Sequence, residues 1–194
     1  MTFMRKVVVQ EFVTLDGFAA GPEGDLDFVQ GASSGDPTSG ELVDDQLAFI
    51  STVDTILLGA TTYRMFSAYW PEQTVETQGI ADALNATPKV VFSRTLESAP
   101  WGDWEPARVV SSSAGEEVRR LKEEEGGDMV VWGSLTLAES LMRNDLVDEY
   151  RLWVCPVVIG RGKRLFADLL DERWLKLVET KTYDGVVATR YTRA

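Results

Sequence analysis

Two segments of this chain carry the same short design, and that pairing limits the folds open to it. Asp128-Met-Val-Val-Trp132 is apolar and β-prone, Gly133 and Ser134 break the run, and Leu135, Ala138, Leu141 and Met142 recur at helical spacing. Upstream, Thr55-Ile-Leu-Leu-Gly59 reads as a short apolar strand and Ala60-Thr-Thr-Tyr-Arg-Met-Phe66 as a helix start rich in hydroxyls. A strand that passes through glycine into a helix is the unit of an α/β fold. The glycine also lets a ligand approach bare amides at the positive end of the helix dipole, a setting that suits phosphate. Two such junctions suggest one diphosphate held from two sides.

The remaining segments extend the pattern. Val7 to Val13 is a first strand, followed by a loop of small residues from Thr14 to Gly24. Gly31 to Gly40 has loop composition and is the candidate for a mobile lid or for disorder. A helix is expected from Gly40 to Val53, with Leu42, Leu47, Phe49 and Ile50 as its apolar members, and a weaker one from Glu76 to Asn85. Lys89–Ser93 and Arg108–Ser111 read as short strands, and Ala114–Glu125 as a helix with Val118 and Leu121 inward. Leu146–Val154 is a further strand. The chain closes on Trp174–Thr182 and Val186–Thr192, joined by Asp184-Gly185, a strong signal for a tight hairpin. The order predicts a three-layer α/β/α fold, mainly parallel, with a C-terminal antiparallel hairpin. Residues 1–194 read as a single domain.

Composition removes whole classes of chemistry. The chain has no histidine, which excludes a catalytic triad and a histidine proton shuttle. A metal site would have to be built from carboxylates and Cys155 alone, so none is expected. Net charge is −12, which disfavours nucleic acid and anionic membranes as partners. No apolar run is long enough to span a bilayer. The single cysteine and the absence of a secretory leader point to a cytoplasmic protein. An anionic ligand would need local positive charge, and Arg94 and Arg161-Gly-Lys-Arg164 offer it.

Six motifs, in order along the chain, resemble one family. Leu15-Asp-Gly17 is similar to its S-L-D-G motif, with Thr14 in place of serine, and Gly21-Pro-Glu-Gly-Asp-Leu-Asp-Phe28 to its G-P-x-G-D-x-D-W. Leu57-Leu-Gly-Ala-Thr-Thr-Tyr63 is similar to x-x-G-R-x-T-Y. Val91-Phe-Ser-Arg-Thr-Leu96, Trp132-Gly-Ser134 and Pro156-Val-Val-Ile-Gly-Arg-Gly-Lys-Arg-Leu-Phe166 complete the set. Together they resemble the dihydrofolate reductase-like superfamily, and within it the reductase domain of the riboflavin-biosynthesis deaminase-reductase and its stand-alone bacterial relatives.

The resemblance implies an NADPH-dependent reductase acting on a small heterocyclic or carbonyl substrate. Gly59, Ala60, Thr61 and Thr62 would hold one side of the pyrophosphate, and Gly133, Ser134, Leu135 and Thr136 the other. Ser93 and Arg94 would meet the 2′-phosphate, and Asp16 and Gly17 would begin the loop over the nicotinamide. Ala60 stands where the family commonly has arginine, and Arg64, one helical turn on, is the candidate substitute. For the proton, Asp45 and Asp44 on the first long helix and Asp27 in the preceding loop are the candidates. Arg161 and Lys163, beside Arg164, would either bind a phosphorylated substrate or brace the nicotinamide loop. A homodimer formed through the C-terminal strands is expected. The alternative reading is a catalytically weak NADP(H)-binding protein.

Overall fold

A computed structural model describes residues 5–32, 40–166 and 171–194. The opening valines make the central strand: Val7, Val8 and Val9 are completely buried, because both faces of the sheet are covered there. Strand β1 (Val7–Thr14) lies parallel between β6 (Asp128–Trp132) and β7 (Glu149–Cys155). Beyond β6 follow β3 (Val53–Gly59), β4 (Lys89–Phe92) and β5 (Arg108–Val110), all parallel. Beyond β7 the sheet turns antiparallel through β10 (Val186–Arg193) and ends on β9 (Leu175–Tyr183). The order is β5-β4-β3-β6-β1-β7-β10-β9. A separate two-stranded ribbon pairs β2 (Phe18–Ala20) with β8 (Lys163–Arg164).

Strand alternation divides the interior into two cores. Val8, Ile56, Leu58 and Val130 face α2 (Glu41–Ile50), α3 (Ala60–Ser67) and α4 (Ala81–Ala86), meeting Phe49, Tyr63 and Leu84. Val7, Val9, Leu57 and Val131 face α5 (Ala114–Glu123) and α6 (Leu135–Arg143), meeting Val118, Leu121, Leu137 and Leu141. This is the three-layer arrangement expected from the order of elements. Asp184 and Gly185, with φ of 48° and 93°, form the hairpin turn between β9 and β10 that matches strand twist.

Several boundaries differ from the sequence expectation. Helix α2 stops at Ile50, and Val53 already belongs to β3. Its buried residues are Val43, Phe49 and Ile50, whereas Leu47 is 36% exposed. Helix α4 begins only at Ala81, because Thr74 and Thr77 close a turn through the amide of one and the hydroxyl of the other. A short helix, α1 (Asp27–Ala32), occupies a stretch expected to be loop. Most of the expected lid, residues 33–39, lies outside the described residues. No helix among the described residues is long and apolar enough to cross a membrane.

Candidate functional site

The topology creates a crevice before any side chain is considered. From β3 the chain passes through α3 to β4 on one side; from β6 it passes through α6 to β7 on the other. The two helices therefore lie on opposite faces, and β3 and β6 are neighbours. The carboxyl ends of such a strand pair form the switch point where open α/β sheets bind ligands.

Both glycine junctions sit at this switch point and touch. The Gly59 amide donates to Ser134 Oγ at 2.6 Å. A Cβ on Gly59 would lie 3.0 Å from that oxygen, and one on Gly133 would lie 2.8 Å from Thr62 Cγ2. Gly133 has φ +60° and Ser134 has φ 59°, ψ 58°, so two successive left-handed residues turn the chain out of the strand. Because the Ser134 hydroxyl oxygen accepts from the Gly59 amide, it does not cap its own helix. Neither α3 nor α6 has a side-chain cap. The first intrahelical bond of α6 runs from Ala138 to Ser134, leaving the amides of Leu135, Thr136 and Leu137 without helical partners. Ala60, Thr61 and Thr62 open α3 in the same way. Thr61 and Thr136 are exposed; Thr62 is buried between the junctions.

The strand-end row continues on either side. Phe92 pairs with Gly59, so Ser93 and Arg94 follow at the neighbouring strand end. Arg94 is exposed, whereas Ser93 Oγ accepts from the amides of Thr95 and Leu96 at 3.2 and 3.1 Å and shapes its own turn. Beyond β1, Asp16 braces two loops. It accepts from the Thr14 hydroxyl at 2.7 Å and the Gly160 amide at 2.8 Å. These bonds, Thr14 first, hold its carboxyl below the usual range. Gly17, at φ +84°, permits the turn that follows.

In the basic loop, Arg164 makes bracing contacts. Arg164 donates to the Asp16 carbonyl at 3.1 Å and lies over the Phe18 ring at 4.4 Å. Lys163 pairs with Ala20 in the ribbon, and Arg161 is exposed. Arg64, near the end of α3, is exposed too.

Of the three acids considered for the proton, the structure brings Asp45 to a cleft. Asp44 and Asp27 are exposed on α2 and α1. The cleft lies between α2 and the β1–β7–β10–β9 face and is lined by Gln10, Asp45, Arg151, Trp153, Lys181 and Arg190, among others. Asp45 pairs with Lys181 at 2.5 Å, and that bond raises the Lys181 ammonium above its usual range. Tyr183 bonds the same pair; burial is the largest cause raising its hydroxyl. At its inner end, Gln10 accepts the Trp132 indole N–H. Trp132 immediately precedes Gly133, so the cleft opens beside the double junction.

Gln10, Arg151, Lys181 and Arg190 were not apparent as site residues from sequence. The available signal was period-two alternation: Glu179, Lys181 and Tyr183 share one face of β9. Glu11 was also missed. It lies on the opposite face from Gln10, is 9% exposed, and accepts the Gly133 amide. Burial, opposed by that weaker bond, pushes its carboxyl up to about 8. Among the described residues, no cluster of His, Cys, Asp or Glu could hold a metal, and burial pushes the Cys155 thiol up to about 11, making it inert.

Residues 5–189 match the family model of the RibD C-terminal domain. The chain belongs to that family. It is similar to two uncharacterised proteins of Bacillus subtilis (strain 168). One, YyaP, is 33% identical over 193 residues, covering 96% of this chain and 94% of the relative. The other, YwjB, is 30% identical over 190 residues, covering 98% and 99%. Among solved structures, a putative riboflavin biosynthesis protein from Shewanella sp. PV-4 superposes with a TM-score of 0.76 at 20% identity, covering 97% of this chain and 99% of that one. Dihydrofolate reductase from Enterococcus faecalis, complexed with NADP(H), has a TM-score of 0.60 at 14% identity, covering 100% and 99%. These likenesses establish the dihydrofolate reductase-like fold.

Proposed function

We propose that the chain is an NADPH-dependent reductase that delivers hydride to a small heterocyclic or carbonyl substrate seated in the Asp45 cleft. The observation that carries this reading is the contact between two uncapped helix starts at the switch point. Amides without helical partners open both helices beside that contact, and the helix dipoles favour anions there. The family match and the NADP(H) complex of the Enterococcus reductase agree with it. The bound cofactor would supply the hydride.

The chain's own residues have the remaining tasks. The amides of Ala60, Thr61, Leu135 and Thr136, with the Thr61 and Thr136 hydroxyls, hold the diphosphate. Arg94 meets the 2′-phosphate through its planar fork of donors. The Trp132–Gln10 bond fixes the inner end of the cleft. Asp45, with Lys181 and Tyr183, holds the proton that must accompany the hydride. A second copy of the chain would pair along β9, the edge strand at the C-terminal end of the sheet order, where Leu177 and Val178 are exposed.

Titrating tryptophan fluorescence with NADPH, then following its oxidation against carbonyl, imine, folate and pyrimidine substrates, tests the assignment. Tight binding with no turnover on any of them would favour the NADP(H)-binding protein instead. Asp45→Asn is expected to lower kcat by about 100-fold while leaving the NADPH Kd nearly unchanged; an unaltered kcat removes Asp45 from the chemistry. Arg94→Ala is expected to weaken NADPH about tenfold and leave NADH binding unchanged. If Arg64→Ala narrows the NADPH/NADH difference instead, the phosphate contact belongs to α3.

A further inference from the structure

We propose that Glu11 is a positioning residue of the cofactor cradle: it grips the Gly133 amide from within the sheet and takes up a proton when an anionic diphosphate settles at the two helix starts. The inference rests on the cofactor reading above. Val7, Val9, Glu11 and Val13 share one face of β1 by strand alternation. The three valines belong to the core under α5 and α6. Glu11 interrupts that apolar face at the register next to Gly133, since Gln10 pairs with Trp132. The carboxyl accepts the Gly133 amide, while its Oε1 is buried with no hydrogen-bond partner. A buried carboxyl with an unsatisfied oxygen costs free energy, and here it stands directly behind the Gly133–Ser134 turn.

Among the described residues, the charged groups on the neighbouring elements are engaged elsewhere. On β7, Glu149 and Arg151 lie on the other sheet face and pair with each other at 3.3 Å. On β6, Asp128 sits at the far end, accepting the Lys6 amide. On α6, Glu139 and Arg143 pair at 2.9 Å. On α5, Glu117 pairs with Arg108 and Arg120, and Lys122 with Asp148. On the β2–β8 ribbon, Arg164 is held by Phe18 and Asp16, and Lys163 lies beside Gly24. The shift of Glu11 comes from burial and the Gly133 amide alone.

These positions couple the acid to the cradle. The inward Gly133 amide holds the left-handed turn that presents the following amides outward. A neutral Glu11 leaves the positive potential of those amides intact. An ionised Glu11 would place a second negative charge behind the diphosphate in a region of low dielectric, where like charges disfavour each other. Cofactor binding and protonation of Glu11 therefore favour each other reciprocally, the proton coming from solvent.

Measurement of the NADPH Kd from pH 7.5 to 9.5 tests the coupling, above the range where the cofactor's phosphates titrate. The wild type is expected to lose at least about fivefold in affinity across that range, and Glu11→Gln to bind at pH 9.5 as the wild type does at pH 7.5. Lys89 titrates near 7 because it is buried, but it is present in both proteins. Calorimetry of the wild type at pH 8.5 in two buffers of different ionisation enthalpy gives the same answer without a variant, as net proton uptake on binding. A flat Kd with no proton uptake overturns the role of Glu11 and leaves the cofactor reading standing. The same pH dependence in Glu11→Gln also overturns it. Failure to bind NADPH at any pH overturns both.

Discussion

Gly133→Ala is expected to lower stability by about 2–4 kcal/mol and to weaken NADPH binding more than tenfold. Two costs add. The left-handed φ of +60° disfavours any residue with a Cβ by about 1–2 kcal/mol. The new methyl would lie 2.8 Å from Thr62 Cγ2, so Thr62 or the turn must move, and Thr62 stands at the start of α3. Gly59→Ala is the internal control. Its φ of −84° is ordinary, and its Cβ would press on the Ser134 hydroxyl at 3.0 Å. It is expected to lose less than about 1 kcal/mol of stability while still loosening the contact between the junctions. Chemical denaturation and fluorescence titration of both variants check this. Equal, small effects would mean that the tightness of the double junction is irrelevant to binding.

The second large effect concerns pH and stability. The Glu11 carboxyl titrates near 8 in the folded protein against 4.5 ordinarily. Between those values the folded state holds a proton that the unfolded state has released. Stability from this group is thus complete below about pH 4.5 and is lost as pH rises toward 8. Glu11→Gln removes the titration. The variant is therefore expected to gain on the wild type by about 1.4 kcal/mol per pH unit between pH 4.5 and 8, roughly 5 kcal/mol across the whole interval. Urea midpoints at pH 5, 6.5 and 8 read this directly; parallel curves would show that Glu11 is not neutral in the folded protein. Asp16, lowered by its Thr14 bond, acts in the opposite sense, its contribution being lost in acid.

Particular residues show how far the chain alone could be read. The Asp128–Leu141 unit was legible because strand, glycine and helix each leave a local signature in a dozen residues. Asp184-Gly185 was legible because positive φ at both turn positions demands such residues. The inward face of α2 was not: Val43, rather than Leu42 or Leu47, is buried. Hydrophobicity at each position says little about how a helix is rolled on the sheet. Nor was the choice among Asp27, Asp44 and Asp45. Their separation depends on Lys181 and Tyr183, more than 130 residues away in sequence.

The amino-acid sequence by itself determined the elements, the predominantly parallel sheet, the glycine junctions and the family, because these follow from local periodicity, turn chemistry and motifs. Only the tertiary structure decided that Gly59 meets Ser134 and Gly133 meets Thr62, that Arg164 and Gly160 brace Asp16, and that Glu11 lies buried behind the Gly133 turn. Those facts depend on strand order and on which face each residue takes once distant strands are paired, and pairing is a property of the folded sheet rather than of any segment within it.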